Sequence, residues 1–127
     1  MNLSDIRDYL RGIFPETKRF FIGRVDTAQE KCIGIYDGEP LPAVYALGPK
    51  TYDTLSVSIL VYWTDNARET EAAARALYDR LRAADFPEIG GHSVPLISLK
   101  HDAPQDCTRP DSPVYEQVIE AVFHYNL

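Results

Sequence analysis

Between Leu55 and Leu81 the apolar spacing changes from every second residue to every third or fourth. Leu55, Val57, Ile59, Val61 and Trp63 alternate with Ser56, Ser58, Leu60, Tyr62 and Thr64. Period two with β-branched and aromatic residues predicts a strand with one face in a core. Thr64-Asp65-Asn66 stops that strand and offers caps for a helix over Ala67–Ala84. Such a strand spans about 30 Å at ~3.3 Å per residue. The helix spans about 27 Å at ~1.5 Å per residue, so the helix can lie along the sheet.

The rest of the chain extends the pattern in both directions. Ile6, Tyr9, Leu10 and Ile13 repeat at helical spacing, with Ser4 as the expected N-cap and Pro15 as the stop. Phe20, Phe21, Ile22 and Val25 read as a short strand, and Cys32–Tyr36 as another. The polar Asp26–Lys31 stretch between them predicts a hairpin. Asp37–Lys50 holds three prolines and two glycines and is expected to be irregular. Its apolar Val44, Tyr45 and Leu47 argue against disorder and for a functional loop. Phe86-Pro87 and Gly90-Gly91 make a second break. Val94–Leu99 reads as a strand whose Pro95 places it at an edge or at a strand start. His101–Pro113 is a polar loop.

Val114–Tyr125 closes the pattern. A helix can be drawn through Val114, Val118 and Val122, but the β-branched and aromatic content favours a strand. The predicted fold is α+β in the order α-β-β-β-α-β-β, a mainly antiparallel or mixed sheet with helices on one face. Residues 1–127 form a single domain in this reading.

Composition narrows the options. A chain of 127 residues, 45% of them hydrophobic, can bury roughly two-thirds of its unfolded surface around one core. Lys and Arg number 13 against 19 Asp and Glu, a formal charge of −6 with no basic stripe. Counterion displacement from nucleic acid needs clustered cations, so direct nucleic-acid binding is not expected. No apolar run reaches the ~18 residues of a membrane span. The amphipathic N-terminus does not read as a signal peptide, which sets the expected site of action in the cytoplasm or in an assembly built there. Cys32 and Cys107 lie far apart and form no CxxC pair, as expected of free thiols.

Candidate chemistry is sparse. His101-Asp102 has no third ligand at a recognised metal spacing. Cys107 has Arg109 nearby, and a cation can lower a thiol pKa, but no base is evident in the sequence. A small enzyme with a site at His101, Asp102 and Cys107 is therefore the alternative; no catalytic, cofactor or metal site is expected. Tyrosines, eight in all, concentrate in the strands and the central loop. An aromatic ring with a polar tip suits a protein interface, and equally suits ordinary sheet packing.

Three segments together resemble a known family. Phe20–Tyr36 (FFIGRVDTAQEKCIGIY) resembles the opening hairpin of a phage family often labelled "minor capsid protein". Leu55–Leu81 resembles its central strand and helix, and Val114–Tyr125 (VYEQVIEAVFHY) its closing strand. That family is similar to the tail terminator proteins of long-tailed bacteriophages and prophages. The resemblance implies a non-enzymatic virion protein, assembled in the bacterial host cytoplasm as a ring, usually a homohexamer. The ring caps the tail tube and faces the head-tail connector protein. A head-tail connector or neck protein of the same fold class is the nearer alternative. The candidate contact elements for such a ring are the Asp37–Lys50 loop, with Tyr45 and Leu47, and the polar face of the closing strand, with Glu116 and Glu120. The chain departs from the family at Cys107–Pro113, where a glycine-bearing turn is expected, and in its proline-rich central loop.

Overall fold

A computed structural model describes residues 1–40 and 51–127. The fold is α+β with one main mixed sheet. Helix α1 spans Leu3–Ile13 and α2 spans Ala67–Arg82. The main strands are β1 (Arg19–Ile22), β2 (Cys32–Asp37) and β3 (Tyr52–Tyr62). After α2 come a two-stranded hairpin of β4 (Glu88–Ile89) and β5 (His92–Ser93), then β6 (Leu96–Leu99), β7 (Gln105–Asp106) and β8 (Glu116–Asn126). The sheet runs β1-β2-β3-β8-β6, and β7 also pairs with β8. Its centre is the long antiparallel pair β3–β8, in register from Tyr52 opposite Asn126 to Tyr62 opposite Glu116.

Both helices pack on one face, here termed the helix face. Val57, Ile59 and Val61 of β3 point there, with Ile119, Ala121 and Phe123 of β8 and Ile33 and Ile35 of β2. Ile6, Leu10 and Phe14 come down from the α1 segment, and Ala74, Leu77 and Leu81 from α2. The alternation of β3 and the closing strand thus places their core residues as predicted. Asn66 caps α2, its side chain accepting from the Glu69 amide at 3.1 Å. Buried Thr70 bonds back to the Asn66 carbonyl at 3.0 Å, which anchors the helix start to the end of β3. Arg80 donates to the Ile13 carbonyl at 3.1 Å and to Glu16 at 2.6 Å, tying α2 to the end of α1.

Two local expectations are corrected. The N-cap of α1 is Asn2, not Ser4: Asn2 and Asp5 form a reciprocal capping box, each side chain taking the other's backbone amide. The opening strands do not form a hairpin, because β1 pairs parallel to β2, with Arg19 opposite Cys32 and Ile22 opposite Ile35. The Gly23–Lys31 stretch therefore has to carry the chain back along the sheet. Gly23 makes the reversal at φ +71, in the region glycine favours, and donates to the Ile35 carbonyl at 2.7 Å. The returning segment crosses the face opposite the helices. There Val25 packs on Cys32 and Tyr62, and the Tyr62 hydroxyl donates to the Thr27 carbonyl at 3.2 Å. Gly34 leaves the room, since a Cβ at that position would sit 2.8 Å from Val25 Cγ1.

Candidate functional site

The chemistry-bearing residues gather along the outer side of β8. Lys100 follows β6 and donates its amide to the Glu120 carbonyl; Cys107 follows β7 and donates to the Glu116 carbonyl. Strands β6 and β7 are thus two pieces of one edge, interrupted by a bulge over residues 101–104. A bulge of this kind bends an edge and spoils it for pairing locally. The His101 carbonyl accepts from the Tyr78 hydroxyl at 2.9 Å, which fastens the bulge to α2.

Among the described residues no hydrogen bond or ion pair joins the side chains of His101, Asp102 and Cys107, the residues of the enzymatic alternative. The anchors flanking them, Glu120 and Glu116, stand four residues apart on β8, about 13 Å at ~3.3 Å per residue. The Cys107 thiol is pushed up to about 11 by desolvation, then by the carboxylates of Glu116 and Asp106, and the opposing pull of Arg109 is smaller. The proximity of Arg109 in sequence therefore does not activate this thiol, because Glu116 engages the guanidinium.

That engagement is the most constrained polar feature of the region. Arg109 places Nε 3.1 Å from Oε2 and Nη2 2.9 Å from Oε1 of Glu116, a two-pronged fork, and its backbone amide adds a third bond at 3.1 Å. The Glu116 side chain is 2% exposed and that of Arg109 55%. The Thr108 hydroxyl lies 2.7 Å from Asp106 Oδ1 and accepts from the Glu116 amide at 2.9 Å. Its hydroxyl and amide bonds hold the Asp106 carboxyl below its ordinary pKa. The 107–115 loop is thereby locked across the end of β8, and a shallow cleft of about 360 Å³ opens between Asp65, Arg109, Pro110 and Tyr115.

The predicted contact residues fall in three different settings. Glu116 is buried and taken up by Arg109, so it offers no surface to a partner in this conformation. Glu120 lies half-buried on the same face, with the Ser58 hydroxyl 3.5 Å from its Oε1. Tyr45 and Leu47 lie outside the described residues. Of the other tyrosines, Tyr62 and Tyr125 are core residues, whereas Tyr52 and Tyr115 are more than a third exposed. Among the described residues no group of three or more His, Cys, Asp or Glu side chains is placed to hold a metal ion. No described helix is long and apolar enough to cross a membrane. Sequence reading missed the Arg109–Glu116 fork, since Glu116 and Glu120 both read as polar-face residues of the closing strand.

No family model and no curated protein matches the chain.

Proposed function

We propose that this chain is a non-enzymatic structural protein of a phage or prophage virion, a tail terminator that joins the tail tube to the head connector as a ring. The reading rests on the three-segment family resemblance. One structural observation supports it most: the sheet ends in two short strands, β1 and β6, with no further strand paired to their outer sides among the described residues. Open strand edges at both ends suit a subunit that contacts neighbours on two sides, as a ring with a heterologous contact requires. The pushed-up Cys107 thiol weighs against the enzymatic alternative. In this reading the partners are further copies of the chain, the tail tube protein and the head-tail connector protein.

Deleting the gene from the phage or prophage that carries it tests the assignment. The expected result is full heads and tails that accumulate separately. Normal joined particles would overturn it. Joined particles with a defect confined to the capsid shell would place the protein in the head instead.

A further inference from the structure

The two open edges are complementary to each other. Strand directions follow from the pairings: β1 runs with β2, β2 against β3, β3 against β8, and β8 against β6. Strands β1 and β6 therefore run in opposite directions. Two copies placed side by side, in the same orientation, would meet as an antiparallel pair. Each edge strand is four residues long.

The hydrogen-bonding phase also matches. The Gly23 amide bonds inward to the Ile35 carbonyl, so alternation along β1 leaves the amides and carbonyls of Phe20 and Ile22 pointing outward. The Lys100 amide bonds inward to Glu120, so alternation along β6 leaves those of Ile97 and Leu99 pointing outward. All four residues belong to the helix face, since Phe20 and Ile22 pair with Ile33 and Ile35, and Ile97 and Leu99 with Phe123 and Ala121. Outward backbone groups and apolar side chains thus come into phase together. The register is decided by charge: Phe20 opposite Leu99 would set Arg19 opposite Lys100, a like-charge pair that destabilises a sheet. Phe20 opposite Ile97 avoids this, sets Phe21 beside the 54% exposed Leu96, and loses only a donor at Pro95.

Beside the start of β1 is a cleft of about 370 Å³ lined by Arg11, Pro15, Thr17 and Lys18. In an antiparallel meeting, the start of β1 faces the end of β6, where the bulge projects with exposed His101 and Asp102. Both features are on the helix side, the cleft beside α1 and the bulge fastened to α2. We infer that the occupant of each edge is a second copy of this chain: β6 of one copy adds to β1 of the next, and the 101–104 bulge seats Asp102 against Lys18 and Arg11. This deepens the ring reading above and rests on it.

Charge swaps at two exposed positions test the contact in the full-length protein. Asp102→Lys and Lys18→Glu should each weaken self-association, read by sedimentation at high protein concentration, by about tenfold. An equimolar mixture of the two variants should recover it, because each copy then finds an opposite charge on both sides. Unchanged association in both single variants, or a mixture no better than either, would overturn the proposal. In a Cys107→Ser background, Phe21→Cys combined with Leu96→Cys should give a ladder of disulfide-linked multimers on oxidation. Absence of a ladder, or dimers from Leu96→Cys alone as in a two-fold contact, would overturn edge pairing. If edge pairing fails while gene deletion still separates heads from tails, the virion role stands and only the contact is wrong.

Discussion

The two faces of the sheet are built by different physics. The helix face is a continuous apolar layer in which Ile59, Val61, Ile119 and Phe123 meet Leu10, Phe14, Leu77 and Leu81, all essentially buried. The other face carries a small cluster of Cys32, Tyr62 and Val114, covered by two irregular segments, 23–31 and 107–115. Those segments are held by individual polar contacts: Tyr62 to the Thr27 carbonyl, Arg109 to Glu116, and Thr108 to both Asp106 and Glu116. One face therefore depends on buried area and the other on a few specific bonds. The second can change its loops without disturbing the first.

This contrast sets a scale of expected effects. Ile59→Ala or Leu77→Ala should destabilise the fold by about 2–5 kcal/mol in denaturant melts, since each removes a fully buried side chain from the layer. Arg109→Ala should cost less, about 2–3 kcal/mol. It strands the buried Glu116 carboxylate, but the guanidinium is half exposed and water can enter. A cost for Arg109→Ala above that of Ile59→Ala would mean that the loop-covered face, not the helix face, dominates stability.

Gly34→Ala should cost about 1–3 kcal/mol by pushing the returning 23–31 segment off the sheet, because the new Cβ would crowd Val25 Cγ1 and the Tyr36 ring. The accompanying gain in amide exchange should be confined to residues 24–31. Exchange spreading into α1 or α2 would show that the two faces are coupled. The smallest effect concerns Cys107. Its thiol titrates near 11, above its unfolded value, so alkylation mapped by mass spectrometry should rise steeply only as pH passes ~10. The sign on stability follows: this contribution is intact below ~8.5, the unfolded thiol value, and is lost as pH climbs through 11. Cys107 is exposed, so alkylation at pH 8 as fast as that of an unfolded control would break the assignment of its thiol to a carboxylate-flanked setting that holds the pKa up.

The helix face was legible in the sequence because periodicity reports burial directly. Leu55–Trp63 and Val114–Tyr125 alternate, and Ile6, Leu10, Leu77 and Leu81 fall at helical spacing, so strand, helix and inward face follow together. The loop-covered face was not legible in this way. Asp26–Lys31 has the composition of a hairpin turn, and nothing local distinguishes that from a return segment beneath a parallel pair. The deciding features are non-local: Tyr62 offers its hydroxyl to Thr27, and Gly34 leaves space for Val25. The same limit hid the role of Glu116, whose partner Arg109 is near in sequence but becomes its partner only once the loop folds over β8. It also hid the bulge, because His101–Pro104 reads as plain loop until β6 and β7 are seen on one strand edge.

The central claim is that this chain is a ring subunit between tail and head. Electron microscopy of purified tails, labelled through an epitope tag on the chain, tests it most directly. The account predicts a label confined to the head-proximal end of the tail. Label along the tube, at the distal tip, or absent from tails altogether would contradict it.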